Sequence, residues 1–230
     1  MIGLPNDLFS NLVWRALQTK HRHFSVSNGD ACRYPFDVAP FAALASPTTT
    51  ALQQLASLLV PNESLWLFGE QFPPAPDLHL IETLPCLRMV LPNSVIPPSP
   101  SPRIVPLSNA DAPDMVTLTD LAFPGFFRPR TCQMGSYFGV RLDGELIAMC
   151  GERIMLDGYS ELSGLCTHPA HRGKGYAANL IWELVRKHRR TGDVSWMHVT
   201  VDNRRAIDLY RRMGFIIDQQ VTLHRVSLKS

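Results

Sequence analysis

The sequence predicts an α/β protein in which a mixed sheet carries helices on its faces. Three observations point there. In the second half of the chain, short apolar runs of strand length alternate with segments of helical period. The dipeptides Asp143-Gly144 and Asp157-Gly158 stand between such runs as turn signals, the first of them joining a hairpin. Composition is that of a globular protein, 45% apolar and 18% charged over 230 residues, enough for one large domain or two small ones.

Near the start, Leu8, Leu12, Val13, Ala16 and Leu17 recur at helical spacing behind Pro5. Leu52, Leu55, Ala56 and Leu59 do so behind the capping threonines Thr48, Thr49 and Thr50. Residues 64–68 (SLWLF) and 86–91 (CLRMVL) are apolar runs bounded by Pro, Gly or Asn, as buried strands are. His21 and His23 lack a third ligand at sensible spacing, so they are read as surface residues after a helix end. Of the 19 prolines, 15 fall in 1–110 and six of those lie between Pro92 and Pro106. Proline fixes φ and removes a backbone donor, so 92–106 reads as a stiff connector. The expectation is an accessory half, 1–110, packing separately from a domain at 111–230.

In that second half, 111–121 reads as a helix, 122–135 as an irregular segment, and 137–142, 145–152 and 159–167 as strands. A helix follows at 175–190, with Ala178, Leu180, Ile181, Leu184 and Val185 on its apolar side. Residues 195–201 read as a strand, 203–213 as a helix ended by Gly214, and 215–228 as one or two more strands.

Several function classes are excluded. No run of about 18 apolar residues exists to span a bilayer. The opening MIGLPNDLFSNLVW lacks the basic and apolar regions of a secretory leader, so a cytoplasmic location is expected. Cys32, Cys86, Cys132, Cys150 and Cys166 are odd in number and widely spaced, without C-x-x-C, and are read as reduced thiols rather than disulfides or zinc ligands. Residues 1–110 carry 6 basic and 7 acidic groups, and 111–230 carry 16 and 13, for a net charge of +2. That surplus is too small for a nucleic-acid surface; the basic run at 186–190 instead complements a helix C-terminus.

The chemistry concentrates between a strand ending near Thr167 and a helix beginning near Gly175, in HPAHRGKGYA. A glycine loop running into a helix start offers free amides and the helix dipole to an anion. Gly173 and Gly175 permit positive φ or close approach, Ala177 stays small, and Arg172 and Lys174 add charge. Taken alone, the loop fits either a phosphate site or a tight βα turn. No Walker G-x-x-x-x-G-K-[ST] occurs, and a dinucleotide fingerprint belongs in the first βαβ unit of a parallel sheet, not after a hairpin late in the chain.

A third signature, Arg/Gln-x-x-Gly-x-Gly/Ala, is met by Arg172-x-x-Gly175-x-Ala177. Upstream stands Glu161-Leu-Ser-Gly-Leu-Cys-Thr-His-Pro169; downstream stands Asn203-x-x-Ala206-Ile-x-Leu-Tyr210-x-x-x-Gly214-Phe215. Across these roughly 55 residues the sequence resembles the GNAT superfamily of acyl-coenzyme-A-dependent N-acyltransferases. The resemblance implies a mostly antiparallel mixed sheet flanked by helices. The N-terminal half resembles the extra, proline-rich half found in one branch of these enzymes and is read as a smaller, degenerate relative of the same fold.

The resemblance further implies acetyl-coenzyme A, or another short acyl-coenzyme A, as co-substrate and a primary amine on a small molecule or peptide as acceptor, joined by direct attack in a ternary complex without a metal. The strand Leu165, Cys166 and Thr167 would lie along the pantetheine arm. Arg172, Gly173, Lys174, Gly175, Tyr176 and Ala177 would enclose the pyrophosphate, and Asn203 would contact coenzyme A while capping its own helix. A lysine-like amine with pKa near 10.4 costs roughly 4.6 kcal/mol to deprotonate at pH 7, so a base must assist. Glu161 stands 11 residues before Arg172, where histone-type members carry their general base. Tyr210 matches the family's general acid, which protonates the departing thiolate, and also borders the cofactor. Cys166 is read as a structural thiol, not an acyl carrier. A homodimer is compatible with the sequence. The competing reading is a non-catalytic acyl-coenzyme-A-binding or regulatory module.

Overall fold

The computed structural model describes residues 4–101 and 103–229. Met1–Gly3 of the segment read for a leader, Pro102 of the connector, and Ser230 lie outside that range. The apolar spacing near the start yields two short helices, α1 (Asn6–Phe9) and α2 (Leu12–Gln18), the second burying Leu12, Val13, Ala16 and Leu17. Strands β1 (Val26–Asn28), β2 (Ala31–Arg33) and β3 (Phe41–Leu44) precede α3 (Thr49–Ala56), which Thr48 caps by accepting from the Ala51 amide. Then come β4 (Ser64–Phe68), β5 (Leu78–Val90), β6 (Val105–Leu107) and α4 (Ala112–Ala122). The hairpin forms as expected between β7 (Tyr137–Leu142) and β8 (Glu145–Leu156), and β9 (Tyr159–Thr167) follows. Helix α5 (Tyr176–Thr191), β10 (Val194–Thr200), α6 (Arg204–Arg212) and β11 (Ile216–Leu228) complete the chain.

All eleven strands join one sheet, in the order β1-β2-β3-β4-β11-β5-β10-β9-β8-β7-β6. Two neighbouring pairs, β3 with β4 and β9 with β10, are parallel, and the remaining pairs are antiparallel. This topology corrects the expectation that residues before and after the connector pack separately. β5 lies between β10 and β11, and β11 in turn pairs with β4. A strand with both edges paired to the other half cannot belong to a separate body. One apolar cluster likewise gathers Leu12, Val13 and Phe41 with Ile154 and Trp196.

A second correction concerns His21, which is 1% exposed rather than on the surface. Its ring sits between the Tyr34 hydroxyl at 2.8 Å and the Met134 carbonyl at 3.1 Å. Burial, the larger effect, pushes its pKa down to about 4 despite the carbonyl contact.

Candidate active site

The site originates in a parting of two strands. β9 and β10 pair in parallel from Tyr159↔Val194 to Glu161↔Trp196, and the pairing ends there. Beyond that point Leu162–Thr167 and Met197–Thr200 line a common cavity of about 650 Å³. β10 remains anchored by its other edge, which pairs with β5 out to Thr200↔Cys86. The gap is therefore a fixed part of the sheet. Its free backbone edges can receive an extended ligand as a strand would be received.

The expected anion loop closes one end. Gly173 and Gly175 both have φ +81°, and a Cβ at either would meet nothing within 4 Å, so that side of the loop is open. Gly175 is the N-terminal cap of α5. Among the described residues the amides of 173–177 donate to no acceptor within the protein, the condition for binding an anion at a helix start. Arg172 bonds back to the Thr167 carbonyl through Nε at 3.3 Å. Leu165, Cys166, Thr167, Arg172, Gly173, Lys174, Gly175, Tyr176, Ala177, Asn203 and Tyr210 all border the one cavity, with Arg205 and Arg212 of α6 beside them. Asn203 also caps α6, accepting from the Ala206 amide at 3.2 Å. This open, amide-lined cradle with adjacent cations fits a diphosphate; the site's chemistry thus fits coenzyme A.

At the inner end, Tyr210 is buried, and burial holds its phenol above the usual value and therefore protonated at pH 7. Burial pushes the Cys166 thiol up to about 12, which leaves no thiolate to carry an acyl group.

Glu161 departs from expectation. Its side chain is 0% exposed and it does not border the cavity. Arg153 donates to it twice, Nε to Oε2 at 2.9 Å and Nη2 to Oε1 at 2.6 Å. The Ile154 amide reaches Oε2 at 3.3 Å, and His198 Nδ1 lies 2.8 Å from Oε1. Burial alone would raise its pKa, but the Arg153 charge and these hydrogen bonds overcome that and hold the carboxylate at about 2. An ion-paired carboxylate at about 2, closed off from the cavity, is not the direct base that position in the motif implied.

Two residues that no motif singled out have, among the described residues, buried polar atoms without a partner while bordering the cavity: Tyr137 through its hydroxyl and His198 through Nε2. An unpaired buried polar atom is costly, and a bound ligand is one way to pair it. One side of the cavity is aromatic and draws on both halves of the chain. Phe126 stacks on Trp66 and on Phe123, each with ring centroids 5.5 Å apart, and Leu84 and Cys86 of β5 join the lining. The irregular segment is pinned to the first half by the Thr131 hydroxyl donating to the Val38 carbonyl at 2.6 Å and by Arg130 pairing with Asp37 at 3.2 Å.

Among the described residues no helix is long and apolar enough to cross a membrane. The model of the GNAT acetyltransferase family matches residues 108–215. A solved structure from Novosphingobium aromaticivorans, described as an acetyltransferase of the GNAT family, is 33% identical. That match covers 96% of this chain and 98% of that one with a TM-score of 0.88. A GCN5-related N-acetyltransferase from Kribbella flavida shares the fold at 18% identity and TM-score 0.62, covering 100% and 97% of the two chains. Another from Sphaerobacter thermophilus does so at 16% and 0.54, covering 86% and 76%. No curated protein matches the sequence.

Proposed function

The chain belongs to the GNAT family of acetyltransferases, and on that premise we propose that it transfers an acetyl or other short acyl group from acyl-coenzyme A to a primary amine. Membership by itself carries the coarser statement, an acyltransferase with an acyl-coenzyme A donor and an acceptor substrate. The observation that carries the finer reading is the single cavity at the parting of β9 and β10, which joins the open amide loop to a buried Tyr210. The co-substrate supplies an activated acyl carbon and a thiolate leaving group. Residues 173–177 hold its diphosphate through amides and the α5 dipole, with Arg172 and Lys174 adding charge. Leu165 and Thr167 present strand backbone to the pantetheine arm, and Asn203 borders it. Tyr210, neutral at pH 7, gives its proton to the departing sulfur.

Direct attack within a ternary complex suits this arrangement, because Cys166 remains a thiol and provides no acyl-enzyme route. The aromatic wall of Phe123, Phe126 and Phe127, with Phe126 backed by Trp66, favours an amine carried on an apolar or aromatic body. Five free, buried cysteines go with the cytoplasmic setting expected from the sequence.

The test is a panel of amines, amino acids and peptide N-termini incubated with acetyl-coenzyme A and scored by release of free thiol, alongside calorimetry of acetyl-coenzyme A binding. Turnover with at least one amine is expected. Tight binding with no thiol release from any member would instead assign a binding module.

A further inference from the structure

Among the described residues four histidines have buried or nearly buried rings, and three of them have both ring nitrogens paired. His21 lies between Tyr34 and Met134, His188 between Ser195 and Glu152, and His224 between Thr83 and Gly69. His198 is the exception among the described residues: Nδ1 contacts Glu161 at 2.8 Å, while Nε2 is buried without a partner. It is also the one of the four that borders the cavity. A histidine serving only the core would be expected to resemble the other three.

The tautomer follows from Glu161. That carboxylate is ionised and can only accept, so the proton of the shared hydrogen bond resides on Nδ1. In the neutral ring Nε2 then carries a lone pair. Burial of the ring favours this neutral form. Burial lowers the His198 pKa from 6.5, Glu161 opposes, and the Arg153 and Arg88 charges add to the lowering. Arg153 already compensates Glu161 from β8, and Arg88, the register partner of His198 on β5, is itself paired with Asp218 of β11 at 2.6 Å. The other close neighbours are the Phe68 and Trp196 rings, at 5.0 and 5.2 Å between centroids.

We propose that His198 is the proton acceptor for the attacking amine and that Glu161, held by Arg153, is the positioning residue that fixes its tautomer. This rests on the acyl-transfer reading above. His198 Nε2 takes the proton that the amine nitrogen loses as the new C–N bond forms and the acyl C–S bond breaks. The imidazolium keeps its bond to Glu161 and releases the proton to solvent. Tyr210 protonates the sulfur and regains its own proton from solvent. The motif position of Glu161 is retained, with its role carried one residue further into the cavity.

The experiment combines kinetics with a readout that needs no turnover. In His198→Gln, kcat should fall about 100- to 1,000-fold while the calorimetric affinity for acetyl-coenzyme A stays within about twofold. The wild-type fall of kcat/KM on the acid side, centred below pH 6.5, should disappear. In Glu161→Gln, which removes the charge opposing ring deprotonation, that limb should move to lower pH. Nitrogen-15 spectra of the wild-type protein at pH 7, with the ring assigned through bonds, should show His198 protonated at Nδ1 and bare at Nε2. Protonation at Nε2 overturns the proposal whether or not the variants fold. So does a His198→Gln protein that keeps wild-type kcat or the same acid limb. If no amine releases thiol from the wild type, the acyl-transfer reading falls and this assignment falls with it.

Discussion

Removing Arg153 tests the electrostatic design of the site. The Arg153 side chain is 14% exposed and Glu161 is 0% exposed, and two charge-assisted hydrogen bonds at 2.9 and 2.6 Å join them. Taking the charge centres as about 4 Å apart and an effective dielectric near 20, their attraction is about 4 kcal/mol. Arg153→Met deletes that attraction, deletes the guanidinium stacked 4.7 Å over the Phe41 ring, and leaves a buried carboxylate with only His198 and one amide. The His198 ring can recover part of the loss by taking up a proton. The expected destabilisation is about 3 kcal/mol, inside the range of roughly 3–5 found when one member of a buried pair is removed. Adding Glu161→Leu should restore most of it, because an apolar pair replaces an orphaned charge. Urea unfolding at pH 7 reads this as a drop in midpoint for the single variant and recovery in the double, with little change in slope. A single-variant cost under about 1 kcal/mol, or costs that simply add in the double, would refute the reasoning.

Gly175→Glu forces a side chain onto φ +81° and places a carboxylate among the loop amides, so calorimetry should show acetyl-coenzyme A affinity reduced at least about 100-fold with the fold intact by circular dichroism. Tyr210→Phe keeps the ring but not the proton; kcat should fall about 100-fold with acetyl-coenzyme A affinity unchanged, and full activity would remove the residue from the mechanism. Acid should also destabilise the protein before its carboxylates titrate. His21 has its pKa depressed from 6.5 to about 4, so its stabilisation is complete above pH 6.5 and is lost as pH falls towards 4, amounting to about 3 kcal/mol. Unfolding midpoints of wild type and His21→Gln between pH 7 and 4 check this, since the variant should lose much of that slope.

Much of the fold is legible from local pattern. Strands β4, β7 and β9 occur at the expected residues, as do the capping roles of Thr48 and Asn203, because alternation and capping are encoded within a few residues. β5 was visible only from Cys86 onward. Its earlier part carries His79, Glu82 and Pro85, which interrupt any apolar run, and is held as strand by pairing with β11 along the full length. The very short β1, β2, β3 and β6 lack a periodic signal altogether. In the candidate site, the loop and Tyr210 each fall in a short motif readable within a few residues of sequence. His198 did not stand out, since a lone histidine in the apolar strand VSWMHVT looks like any core residue. Its tie to Glu161 depends on β9 and β10 lying side by side, a pairing between segments 37 positions apart that no local spacing announces.

The interleaving of β5 and β11 has a bearing on biosynthesis. Residues 216–228 are synthesised after every other described strand, yet they must enter between β4 and β5, two segments made long before. Until they arrive, each of those earlier segments has a bare ladder edge in water. Synthesis through residue 228 therefore precedes closure of the sheet's centre, and a chain stopped before that point would be a sticky, unfinished sheet rather than a smaller folded unit.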